Sequence, residues 1–244
     1  LYALLAFEIV TDIYDLIIGA GLVWGALKWK KGLITATAVK WGLFLGLLLG
    51  GVTMAAGGSE ITLIFFLLTG VIIFPALTYS VPSVNRFVLG FIVVMKITFM
   101  VTTEMFRSGD ITIENMFLAP LFVGTIMGLV FAAWKSISAL PFVSACAFLG
   151  ASSTAPVLAK YVNQFLFAKE GDLSNIIDPL DLIFGIFGIE LTDGWTLFFL
   201  CMLMIIGVPK QIHSVYQQGY DISTPIITIE TSNKDQHGKI YRSK

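Results

Sequence analysis

Residues 87–104 read Phe-Val-Leu-Gly-Phe-Ile-Val-Val-Met-Lys-Ile-Thr-Phe-Met-Val-Thr-Thr-Glu, an apolar run with one ammonium, Lys96, in its middle. At about 1.5 Å per helical residue, Lys96 lies roughly 15 Å from Arg86, half the thickness of a ~30 Å hydrocarbon core. A cation at that depth cannot face lipid. It has to snorkel, shed its proton or meet a carboxylate inside a bundle of helices.

The rest of the chain supplies such a bundle. Of its 244 residues 57% are hydrophobic and only 13% charged, against about 25% charged in a soluble domain. The mean hydropathy is +0.87. The fold class is therefore an all-α, polytopic integral membrane protein surrounded by lipid, and no nucleic-acid partner is expected. The chain opens on Leu1 rather than methionine, as a processed or shortened product would.

The spacing of apolar stretches predicts seven transmembrane helices over about 8–28, 32–56, 61–79, 84–105, 116–134, 137–167 and 195–208. The second carries Gly42-x-x-x-Gly46-x-x-x-Gly50 and the fifth Gly124-x-x-x-Gly128, smooth strips on which another helix backbone can pack closely. The sixth is too long for one straight crossing. Its centre reads Gly150-Ala-Ser-Ser-Thr-Ala-Pro156, where a proline removes a helix hydrogen bond and a kink or short unwound segment is expected. An acidic segment, 169–193, precedes the last span; Asp178-Pro179 within it reads as the start of an outer interfacial or re-entrant helix over about 179–190. Pro209 and Lys210 are expected to end the seventh helix, and residues 211–244 to form a polar, unstructured tail.

Basic residues collect at alternate turns, around Lys28–Lys31, Arg86, Lys135 and Lys210, and acidic ones at the opposite turns. The positive-inside rule then puts the amino terminus outside and the carboxyl tail in the cytoplasm. Gly21-Leu-Val-Trp-Gly25, Gly70-Val-Ile-Ile-Phe-Pro75 and Gly124-Thr-Ile-Met-Gly128 each precede a basic turn and a second helix. This pattern reads as three parallel-repeated helical hairpins plus a closing helix.

These hairpins, with a short last helix and a polar tail, resemble a seven-helix membrane family whose animal members include transmembrane protein 198, a Wnt-signalling scaffold, and seven-transmembrane superfamily member 3. The likeness covers about residues 15–210 and rests on the glycine and turn pattern. It implies a seven-helix bundle and no catalytic residue to carry over. The chain departs from the plain pattern at Glu8, Asp12, Asp15 and the acidic segment.

Glu8, Asp12 and Asp15 share one face of the first helix, at steps of four and three. In one reading they line a polar path toward Lys96, with Lys40 beside it and Ser152, Ser153 and Thr154 supplying hydroxyl ligands. An ion or proton then moves by partner exchange, as in a small transporter or channel-like protein. In the other, Asp15 and Lys96 form a static pair that sets helix register, and the protein is a scaffold or complex subunit. Protein partners or a homo-oligomer would then engage the acidic segment, the glycine faces and the tail.

Phosphate-loop, zinc-protease and hydrolase-elbow motifs are absent from the sequence. No enzyme activity, catalytic residue, metal or cofactor is expected. Cys146 and Cys201 lie in apolar stretches and read as packing residues, and His213 and His237 as solvated or interfacial ones.

Overall fold

The computed structural model describes residues 2–134, 136–167, 194–223 and 225–228. The 179–190 helix anticipated within the acidic segment and the tail beyond residue 228 lie outside the described residues.

Seven long helical rods make up nearly all of what is described. They are α1 (Tyr2–Gly25), α2 (Lys30–Ala55), a composite rod Glu60–Ser80, α5 (Pro82–Arg107), α6 (Ile113–Ala133), α7 (Ala139–Phe167) and α8 (Gly194–Gln217). Six are long and apolar enough to cross a membrane. The other, α1, has 24 residues, about 36 Å of helix, and is distinguished by the acidic face of Glu8, Asp12 and Asp15.

The composite rod contains α3 (Glu60–Leu68), a π-helical turn (Thr69–Ile73) and α4 (Phe74–Ser80). Its cause is Pro75, which has no N–H for the carbonyl one turn back. The ladder widens by one residue just before it, as π-bulges do. Val81, extended at φ −113° and ψ 110°, then obeys the restriction that a following proline places on it and starts α5 at once.

Each rod has its own lateral neighbours. α5 packs most extensively on α6, α2 on α3 and α4, and α7 on both α8 and α1. Three of these contacts are made by glycine. A Cβ added to Gly42 would lie 1.9 Å from the Gly70 carbonyl oxygen, and one on Gly150 would lie 2.4 Å from that of Gly19. Gly124 presses in the same way against Phe91 and Met95 of α5. Gly46, Gly50 and Gly128 continue the two strips, against Phe66, Leu63 and Phe87. As a result α5 and α7 are mostly buried and α2 partly so, while α3–α4, α6 and α8 expose apolar faces such as Ile61, Phe122 and Ile205. Lipid is the solvent that suits those faces.

Three expectations are corrected. α7 is helical from Ala139 to Phe167, with no unwound segment around Pro156. α8 runs through Pro209 to Gln217. There the Gln211 amide, itself buried, donates to the carbonyls of Leu22 and Val23 at 2.7 and 2.6 Å, tying this stretch to the end of α1. The tail, finally, contributes a strand. β1 (Ser136–Ser138) pairs antiparallel with β2 (Pro225–Thr228), Ile137 opposite Ile227, at the end of the bundle where α6 meets α7.

Candidate functional site

Asp15 and Lys40 lie at one level, and simple counting shows why. Asp15 is ten residues back from Gly25, and Lys40 ten residues on from Lys30, on two helices joined by a four-residue turn. Both side chains therefore sit about 15 Å from that turn. Lys40 Nζ donates to Asp15 Oδ2 at 2.5 Å, with the side chains only 13% and 5% exposed. Next to Asp15, the Tyr14 hydroxyl donates to the Ala36 carbonyl and holds the two helices together.

α1 is pressed onto α7 by the Gly19 and Gly150 contact, and Thr154 of α7 donates to the backbone carbonyl of Asp15 at 3.5 Å. One turn up α1, Asp12 Oδ2 accepts from Lys160 at 2.6 Å and from the Tyr161 hydroxyl at 3.3 Å. Glu8 lies a further turn toward the start of α1, and its side chain is outside the described ones.

Lys96 is 1% exposed in the middle of α5. Its ammonium donates to Ser152 Oγ at 3.1 Å and Ser153 Oγ at 3.0 Å, both on α7. Ser152 in turn donates to the Leu149 carbonyl at 3.1 Å. Among the described residues no carboxylate lies within ion-pair distance of Lys96, although it is near enough to Asp15 and Lys40 to feel both charges.

Asp15 thus has a different partner from the one anticipated. Lys96 is not its ion pair; Lys40 is. The turn between α1 and α2 delivers Lys40 to the level of Asp15, whereas α5 reaches this level across α7, where the serines intervene. The equal count from the basic turn was a signal in the sequence for the Asp15 and Lys40 pair.

Two further cations, the half-buried Lys160 and the buried Arg86, had no such signal. Lys160 meets Asp12 only because α1 lies against α7. Arg86, assigned above to a basic turn, is fully buried and donates to the Ala132 carbonyl at 3.1 Å, capping the end of α6. Among the described residues no cluster of histidine, cysteine, aspartate or glutamate is arranged to hold a metal ion.

No family model matches the chain, and no curated protein or solved structure matches it either. The functional reading therefore rests on the geometry of the polar layer.

Proposed function

We propose that this integral membrane protein is a small transporter or channel-like protein that moves an ion or proton through the layer formed by Asp15, Lys40, Lys96, Ser152 and Ser153. One observation carries the reading: a fully buried lysine at mid-span, held among the described residues by hydroxyls, beside an aspartate already engaged by a second lysine. Packing needs no such arrangement, because ionisable groups inside a membrane are costly. Asp15 pairs with Lys40 beside the Lys96 site. Transfer of its carboxylate from one ammonium to the other is the partner exchange that transport requires. No catalytic role is assigned to any residue.

The repeat reading supports a site at this place. Ser152 follows Lys96 by 56 residues, and Lys96 follows Lys40 by the same interval, each on a second helix of a hairpin. Every outer helix leans on the inner helix before it: α3–α4 on α2, α6 on α5, α8 on α7. α1 also leans on α7 and closes the ring. The three inner helices thus carry Lys40, Lys96 and Ser152 at equivalent positions, and sites in repeat-built transporters lie where repeats meet. In this reading the end bearing Lys28, Lys30, Lys31 and Lys210 faces the cytoplasm and the amino terminus is outside.

The test is flux. Purified protein in liposomes under an imposed proton or salt gradient should show protein-dependent flux that Asp15→Asn and Lys96→Gln abolish without loss of folded protein. Absence of flux under every gradient, with a protein partner co-purifying, would favour the scaffold reading. One observation favours that alternative: among the described residues the ribbon β1–β2 has only two strands, whose edges a partner strand can pair with.

A further inference from the structure

Two basic stretches far apart in the chain, Lys28-Trp-Lys-Lys31 and Lys210, meet at one end of the bundle. The means is the continuation of α8 past Pro209. Gln211 donates to the carbonyls of Leu22 and Val23, and Gly207 lies against Val23, so this end of α8 is fastened to the last turns of α1. Lys210, the residue before Gln211, holds its ammonium over the Trp24 indole, 5.7 Å from the ring centroid. Past Gly25 the chain turns into α2, and there Lys28 lies over Trp29 at 5.8 Å. Both are cation–π distances.

Lys28, Lys31 and Lys210 are exposed, as are both indoles. Among the described residues none of these three lysines forms an ion pair. Tyr79, Trp134 and Tyr216 are exposed at the same end, and aromatic rings at helix ends mark the headgroup layer of a membrane. The anions that surround a patch at that level are phosphate diesters. Lysine stems run along apolar helix surface and keep their ammonium groups there, and an indole N–H adds a neutral donor. Beneath the charges the surface turns apolar. Ile206 and Met202 lie four and eight residues before Lys210 on one face of α8, and Ile17 lies seven before Trp24 on α1, all three exposed. Cations above an apolar face suit a molecule with an anionic head and hydrocarbon tails, rather than a free anion.

We propose that Lys28, Lys31 and Lys210, with Trp24 and Trp29, form a binding site for the headgroup of an anionic phospholipid whose acyl chains lie along the outward faces of α1 and α8. The bound lipid ties α8 to the turn between α1 and α2, adding to the hold of Gln211. Such binding requires neither flux nor exchange in the buried layer, so it stands or falls independently of transport.

The full chain in non-ionic detergent is titrated with phosphatidylglycerol or with phosphatidylcholine at constant ionic strength, and its melting temperature is followed by helical circular dichroism. Phosphatidylglycerol is expected to raise the melting temperature with saturation, and phosphatidylcholine to need at least about 10-fold more for the same rise. Each of Lys28→Gln, Lys31→Gln and Lys210→Gln should raise the half-saturating phosphatidylglycerol concentration about 5-fold, the change that ~1 kcal/mol per lysine at an anionic surface gives, and the triple variant roughly 100-fold. Lys210→Arg keeps the response, and so does Arg107→Gln, which removes an exposed cation at the opposite end of the bundle.

Equal responses to the two lipids, or an unchanged half-saturating concentration in the triple variant, overturns the site. A loss in Arg107→Gln as large as in Lys210→Gln overturns it too, since the effect would then belong to the charge of the whole protein. Inorganic phosphate that reproduces the phosphatidylglycerol response at similar concentration replaces the lipid by a free anion; phosphate without effect supports the lipid.

Discussion

Replacing Asp15 by asparagine should be among the most damaging single changes in this chain. The Lys40 ammonium is 13% exposed and 2.5 Å from the Asp15 carboxylate, so Asp15→Asn leaves a buried cation without its counter-charge and beside a second cation, Lys96. Removing one partner of a buried pair costs about 3–5 kcal/mol. For a domain of this size that is a fall of roughly 6–20 °C in melting temperature, at ~2–4 °C per kcal/mol. Lys40→Met should cost less, because the orphaned Asp15 can turn toward Lys96. The double variant Asp15→Asn/Lys40→Met removes both charges and should recover about 2–4 kcal/mol relative to the sum of the single losses, since a buried pair and an apolar replacement are often close in stability. Asp15→Asn/Lys96→Gln should show coupling below about 1 kcal/mol. Tryptophan-fluorescence melting of the detergent-purified wild type, these four variants and Lys96→Gln reads the two cycles, with size-exclusion profiles checking that each is folded. Additive losses in the Asp15 and Lys40 double variant would refute the pairing. So would a larger recovery with Lys96 than with Lys40.

Gly150→Ala sets a Cβ 2.4 Å from the Gly19 carbonyl oxygen, a backbone atom that cannot swing aside. It should cost at least about 1–3 kcal/mol, whereas Gly51→Ala, with nothing within 4 Å of the new carbon, should be neutral or gain about 0.5–1 kcal/mol; equal melting temperatures would sink the packing argument. Gln211→Leu removes the donor to the Leu22 and Val23 carbonyls and should lower stability by about 1–3 kcal/mol. A melting temperature unchanged within error would show that those carbonyls find other donors. Truncation after Ser223 removes β2, so hydrogen exchange at 136–138, measured by mass spectrometry, should accelerate while exchange in α7 stays as it was. Unaltered exchange at 136–138 would argue against the ribbon.

Distances along each helix were legible before any fold was known, because the helical rise is constant. That is why the depth of Lys96, the acidic face of α1 and the glycine strips of α2 and α6 could be read from residue spacing, and why six rods carry the length and apolarity of membrane spans. The level shared by Asp15 and Lys40 was equally present in the count from their common turn. Spacing alone leaves Lys40 and Lys96 as rival partners of Asp15, since both lie at similar depth.

Lateral neighbours were not legible. Lys96 faces Ser152 and Ser153 because α5 and α7 are inner helices; Asp12 meets Lys160 because Gly19 and Gly150 let α1 settle on α7. Pro156 reads as a kink or short unwound segment and Pro209 as a helix end, and helix runs on through both. Sequence spacing determines how deep a residue lies within its own helix. Only the packing of backbones side by side decides which residue of another helix it meets there, since that choice belongs to contacts between segments far apart in the chain.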